Sequence, residues 1–174
     1  MINTLSRKLV GVFAIVALSA ALYVGCVVPQ QTKIQRQQHF IEQEYAPYRQ
    51  KGTGRIVGQA FARTRGGDVK VAAGSLVVMN PVTSYSTEWF RYWVSGKMPM
   101  LGAPDPRILE FSRSTRADAG GNFEFSDLAE GEYYVCSSVF WEVPSRYGLD
   151  RTGDWLGSKV KVKNGEVTKA ILAP

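Results

Sequence analysis

The groups in this chain that could carry chemistry are few. Cys26 and Cys136 are its two thiols, and His39 is its one imidazole. A Ser/His/Asp relay in the C-terminal part is excluded, because His39 precedes that part and has no second histidine to replace it. An ordinary zinc site wants several His or Cys ligands, so no metal is expected. Cys136 follows Tyr134 and Val135 in an apolar run, where a thiol serves as a small buried hydrophobe. Asp118, Glu124, Asp127 and Glu130 stand beside the turn residues Gly120, Gly121 and Gly131. No oxygen-rich loop of calcium-binding spacing surrounds them, so turn capping is their expected role. Phosphate-cradling and dinucleotide-type glycine loops are missing too. The expectation is a protein that is not an enzyme and carries no cofactor.

Binding chemistry has a better candidate. Tyr85, Trp89, Phe90, Tyr92 and Trp93 crowd into one short stretch. On a helix capped by Ser84 or Ser86 and ended by Gly96, Tyr85, Trp89 and Trp93 share one face. Two readings stay open. In one, the aromatics cover the outer side of neighbouring strands, against Leu76, Val78, Tyr134 and Phe140. In the other they form an exposed platform for a sugar ring or a protein surface.

The elements that must hold this stretch are strands. Ile56–Phe61 reads as the first. Leu76-Val77-Val78-Met79 is apolar on both parities and so needs cover on both sides. Between Val82 and Ser114 lies an insertion of roughly thirty residues, far longer than a hairpin loop. Its second half, Met98 to Pro106, is a proline-braced loop. Ile108–Ser114 should be a strand leading into the central stretch, Thr115–Val135. There Phe123 and Phe125 alternate with polar residues, Gly120-Gly121 makes a turn, and Tyr133 and Val135 return to the buried side. Ser145–Trp155, with Gly148, Gly153 and charges of alternating sign, reads as a loop. Val160–Leu172 is expected to be a hairpin around Asn164-Gly165. The pattern gives about seven strands in two antiparallel sheets.

Thr115, Asp118, Gly121, Phe123, Phe125, Leu128, Gly131, Tyr133 and Val135 together carry a spacing that resembles the carboxypeptidase regulatory-like domain. Gly54–Ala60, Val77–Pro81 and Val160–Leu172 fit that family's first, second and closing elements. The resemblance implies a mainly β, antiparallel Greek-key β-sandwich of the transthyretin-like kind over 54–174, with one inserted short helix and loop at 82–114. It implies no activity, since such modules serve many unrelated proteins.

The N-terminus reads as a targeting segment. Arg7 and Lys8 precede an uncharged run from Leu9 to Gly25 and then Cys26. Positive charge stays cytoplasmic, so the remainder should cross the membrane. Leu22-Tyr23-Val24-Gly25-Cys26 resembles a bacterial lipoprotein processing site. That implies a signal peptide at 1–25, a lipid on Cys26, and attachment by several acyl chains. The rival is an uncleaved anchor, since Leu9–Val28 is long enough to span a bilayer. Val27, in place of Asp, points by resemblance to the outer membrane, facing the periplasm, in a Gram-negative cell. Residues 26–53 turn polar and glutamine-rich. Ile34, Ile41, Tyr45 and Tyr48 recur there at near-helical spacing, which suits a spacer or a docking helix.

The formal charge of +6 includes Arg7 and Lys8 of the leader, and the remaining excess is scattered without a basic run. Nucleic-acid binding is not expected. The resulting expectation is a membrane-anchored extracytoplasmic lipoprotein. It would act as a protein–protein assembly module of the cell envelope or, alternatively, bind glycan or peptidoglycan through Tyr85–Trp93.

Overall fold

The computed structural model describes residues 33–174; the expected signal peptide at 1–25 and the lipidation site Cys26 lie outside the described residues. Eight strands are present: β1 (Gly54–Arg63), β2 (Val69–Val71), β3 (Leu76–Pro81), β4 (Arg113–Arg116), β5 (Asn122–Leu128), β6 (Gly131–Ser145), β7 (Gly148–Val162) and β8 (Val167–Leu172). They make two four-stranded sheets. In the first, β1 is central, with β5 and β8 along residues 54–60 and β2 along its last residues. The second runs β4-β3-β6-β7. All pairings are antiparallel except β1 with β8, which is parallel.

Alternation builds the core. Phe123 and Phe125 are buried and Glu124 is exposed, as two-residue periodicity requires. Strict alternation would turn Leu128 outward, three residues after Phe125. A bulge opposite Gly54–Ile56 intervenes, with Asp127 at φ 55. Asp is among the few residues that tolerate that conformation, and Leu128 turns inward. Between the layers, Ile56, Phe125, Leu128 and Leu172 meet Val77, Met79, Val135, Leu156 and Val162. Each such side chain contributes about 1.5–3 kcal/mol by leaving water. The mainly β sandwich expected from the pattern is the fold observed.

Several local expectations are corrected. The Asn164-Gly165 turn does not close a hairpin. It carries the chain from β7 in one sheet to β8 in the other. The favoured hairpin turn of Asn-Gly type needs positive φ at both central residues, and here Gly165, at 75°, has it while Asn164 does not. Ile108–Ser114 is not one strand. Pro106–Glu110 forms a 3₁₀ turn, capped by Asp105, whose carboxylate accepts from the Arg107 N–H at 3.0 Å, and β4 starts only at Arg113. Ser145–Trp155 is no loop either: β6 and β7 pair continuously from Gly131/Val162 to Ser145/Gly148. Consecutive cross-strand hydrogen bonds hold that ribbon together beyond the reach of the core.

The stretch expected as a spacer packs, from Lys33 onward, against the insertion. Ile34 bonds through its backbone to Pro99 and Leu101 at 2.9 and 2.8 Å. Phe40 stacks on Tyr45 at 4.5 Å, and Tyr45 lies 4.7 Å from Phe111. Tyr45, on the one-turn helix α1 (Glu42–Tyr45), is fully buried and accepts from the Thr83 hydroxyl at 3.0 Å. Tyr48 meets Tyr133 edge-on at 5.3 Å. The thin apolar stripe thus finds partners on the sandwich, while His39 stays exposed.

Candidate functional site

Helix α2 (Ser84–Trp89) is capped by Thr83, not by Ser84 or Ser86. The Thr83 hydroxyl accepts from the Ser86 N–H at 3.1 Å, and the Ser86 hydroxyl accepts from the Thr83 N–H at 2.9 Å. This reciprocal pair fixes where the helix starts. After Trp89 the helix widens into a π-helical turn, Phe90–Ser95, which Gly96 ends. Tyr85 and Trp89 lie four apart on the α-helical part, whereas Trp93 follows on the widened turn, and the three side chains meet different surroundings.

The five aromatics of the sequence reading therefore separate. Tyr85 is buried; its hydroxyl accepts from the Asp105 N–H at 2.7 Å, and the Arg36 guanidinium lies 3.9 Å above its ring. Trp89 and Phe90 are half-buried on the outer side of β6, with Phe90 stacked on Tyr134 at 4.2 Å. Tyr92 is half-buried over the segment at Gln37 and Gln38. Trp93 points to β7 and meets Trp155 edge-on at 5.8 Å. Of the residues expected under this cover, Tyr134 is buried beneath the insertion together with Cys136, Val78 is half-buried, and Leu76 and Phe140 stay exposed. Burial pushes the Cys136 thiol up to about 12, which leaves it protonated and unreactive near neutrality.

Where this cover stops, a bare aromatic surface begins. On the outer side of the ribbon, a Cβ added at Gly157 would lie 2.7 Å from the Phe90 ring. Two residues earlier, Trp155 is 39% exposed, and Phe140 beside it is 37% exposed. Their rings meet edge-on at 6.0 Å, and the Arg151 guanidinium sits 4.5 Å over Phe140. Gly153 pairs with Phe140 across the ribbon. At φ 137°, with a Cβ that would lie 2.1 Å from the Val139 carbonyl oxygen, that position admits only glycine. Phe140, Arg151, Thr152, Gly153 and Trp155 line a hollow of about 410 Å³. Asp154, next to Trp155 in the chain but outside this lining, accepts from Lys97 at 2.7 Å. Aromatic faces with hydrogen-bonding groups around them can hold a ligand that is apolar on one side and polar at its edges.

A larger hollow of about 520 Å³ lies on the outer side of β5, β1 and β8. Its charges are partly committed: Glu124 pairs with Arg55 at 2.6 Å, and Asp118 accepts from Gly120 and Asn122 N–H groups at 2.8 Å each, closing the turn before β5. The Asn122 side-chain amide, which donates to the same carboxylate at 3.0 Å, and then these backbone N–H groups hold the Asp118 carboxyl below its ordinary range.

Phe140, Arg151 and Trp155 were missed as a site because Gly148 and Gly153 broke the apparent pattern. A usable signal was present. The inward alternation Leu156, Ser158, Val160, Val162 extends backward and places Trp155 on the outer side of the same strand.

No protein-family model matches the chain, and no curated protein matches it. Among solved structures it is similar to a candidate carbohydrate-binding protein from Pseudomonas aeruginosa, with 26% identity and a TM-score of 0.71, covering 80% of this chain and 100% of that one. A minor pilin of Streptococcus agalactiae gives 12% identity and a TM-score of 0.37, covering 71% of this chain and 44% of that one.

Proposed function

We propose that this chain is a non-catalytic, glycan-binding β-sandwich, tethered outside the cytoplasm by lipid on Cys26. The carrying observation is the Trp155–Phe140 surface. Trp155, more than a third exposed beside Phe140, offers apolar ring area to the C–H side of a sugar, and Arg151, lying over Phe140, and Thr152 line the same hollow for its hydroxyls. The Pseudomonas aeruginosa neighbour, matched over its whole length, supports the same ligand class. The surface proposed from sequence, Tyr85–Trp93, contributes Trp93 at its edge. Absence of catalysis is supported by a single histidine on the exposed N-terminal segment and a thiol that burial keeps protonated. The motif from Thr115 to Val135 supports membership of the carboxypeptidase regulatory-like domains, and the leader with Gly25-Cys26 supports the lipid anchor and an envelope location.

A second reading, docking to an envelope protein, is favoured by the tip of the ribbon, where Tyr147 is 92% and Leu149 65% exposed. The test is retention of the full chain, in detergent, on purified peptidoglycan and on an array of neutral glycans. Binding lost by at least ~10-fold in Trp155→Ala, equal to about 1.4 kcal/mol, with the thermal midpoint nearly kept, supports the glycan surface. No retention on any glycan, with one reproducible protein crosslinked in cells through Tyr147, overturns it in favour of docking. The anchor is tested by intact mass: a diacylglyceryl adduct on a chain beginning at Cys26 is expected.

A further inference from the structure

The second half of the insertion has a composition that a surface loop does not need. Met98-Pro99-Met100-Leu101-Gly102-Ala103-Pro104 contains no side chain that is charged or able to hydrogen-bond. Met98, Pro99 and Met100 are half-buried, but Leu101, Gly102, Ala103 and Pro104 are exposed in succession. Loops are ordinarily polar, and an exposed apolar run of that kind calls for a functional reason. Leu101 stands at the bend, 43% exposed. Gly102 follows it at φ 81, with nothing within 4 Å of where a Cβ would stand.

The loop is braced by its backbone. Met98 donates its N–H to the Tyr92 carbonyl at 2.8 Å, Leu101 to the Ile34 carbonyl at 2.8 Å, and Asp105 to the Tyr85 hydroxyl at 2.7 Å. Pro99 and Pro104 have no N–H to satisfy. These bonds and the two prolines account for five of the eight positions from Met98 to Asp105, which lowers the cost of withdrawing the loop from water. Asp105, the acid that follows the run, is engaged by Arg107 at 2.7 Å, and Lys33, beside Ile34, is exposed.

What this loop can meet follows from where the chain enters the domain. Ile34, to which the loop is bonded on both sides of Met100, stands eight residues after Cys26. Eight residues span at most about 29 Å. A lipid on Cys26 therefore keeps the bilayer within that reach of Ile34 and its neighbour Leu101. Contact between loop and lipid becomes an intramolecular event, for which even a weak affinity suffices. We infer that the Met98–Pro104 loop docks on the membrane surface, with Leu101 reaching the boundary between headgroups and acyl chains and Lys33 lying beside the phosphates. The consequence is one orientation of the sandwich relative to the bilayer. This inference rests on the membrane attachment proposed above.

The experiment is methyl NMR of the full chain, labelled at its methionine methyl groups, in nanodiscs of phosphatidylethanolamine and phosphatidylglycerol that include a lipid with a nitroxide on its acyl chain. Met98 and Met100 should broaden, while Met79, 1% exposed in the core, stays sharp. Leu101→Asn should lower the ratio of docked to undocked protein at least ~5-fold, about 1 kcal/mol, and Leu101→Phe should keep it. Val167→Asn, at a position 53% exposed on the other sheet, should change nothing. Co-elution with the nanodiscs reports attachment separately. If the chain co-elutes but Met98 and Met100 broaden no more than Met79, or their broadening survives Leu101→Asn, the docking is overturned and the attachment stands. Broadening that appears only after envelope proteins are added overturns it in favour of a protein partner. Failure to co-elute overturns both the attachment and the docking.

Discussion

The β6–β7 ribbon has two halves built from the same backbone ladder and filled by different rules. At its root Tyr133, Val135, Leu156, Val160 and Val162 are locked between the sheets. Beyond Val139 the ladder continues to Ser145 and Gly148, where Trp141 still packs against the core but the fully buried side chains stop. Phe140, Tyr147 and Leu149 are exposed there, and Trp155, opposite Ser138, is exposed at the boundary on the outer face. Hydrogen bonding holds both halves, whereas the root gains most from burial, the larger stabilising term. The root's side chains are thus explained by folding. Those at the tip are not, so they are the ones to examine for recognition.

Neighbouring substitutions can break that contrast. Leu156→Ala, at a residue 1% exposed, should destabilise the protein by about 2–5 kcal/mol in urea unfolding. Trp155→Ala, one residue away, removes a larger side chain but only edge contacts, each worth about 1 kcal/mol. If the two losses prove equal, the division into root and tip is wrong.

Gly153→Ala sharpens the same point from the backbone. It forces a side chain into a conformation that costs about 1–3 kcal/mol and presses it against Val139 and Phe140. Hydrogen exchange should show lost protection from Phe140 to Asp154 and kept protection at Val135 and Val160. Equal loss at both would mean that the ribbon folds as one unit.

A smaller effect is expected in alkali. Burial raises the folded-state pKa of Cys136 to about 12 from an ordinary 9.0. Tyr133, Tyr45 and Tyr48 are also raised, chiefly by burial. For such groups the folded state holds its protons longer than the unfolded one. Their contribution to stability is complete below the unfolded values and is lost as pH climbs toward the folded ones. Urea midpoints should therefore fall steadily above about pH 9, and Cys136→Ala should soften the first part of the fall. Cys136 and Tyr133 place part of this dependence in the root, and Tyr45 and Tyr48 place the rest on the N-terminal segment. At the exposed surface, Arg55→Ala, which breaks the pair with Glu124, should leave the midpoint unchanged within error, since exposed pairs contribute little.

The inner layer was legible in the sequence because alternation is a local code. Phe123, Phe125, Tyr133 and Val135 each declare their side through their immediate neighbours. The Leu128 bulge and the Asn164-Gly165 crossing turn depend on backbone angles that those residue types permit but do not dictate. Trp155 and Phe140 were obscured for another reason. Gly153, which the ribbon needs in order to bring them together, looks in sequence like a strand breaker. The packing of Tyr45 against Phe111 and Thr83 joins segments far apart in the chain, and no short-range pattern encodes it. The aromatics of the insertion are legible as a group, but their three surroundings are set by partners distant in the chain, Arg36 and Asp105 for Tyr85, Tyr134 for Phe90 and Trp155 for Trp93, which spacing alone does not encode.

The parallel pairing of β1 with β8 sets a schedule for assembly. β1 is among the first structured residues to leave the ribosome, yet one of its long flanks stays open until Val167–Leu172 has also been synthesised. Closing so wide a loop is a slow event entropically, so the edge of β1 that carries Ile56 stays unpaired until β8 arrives.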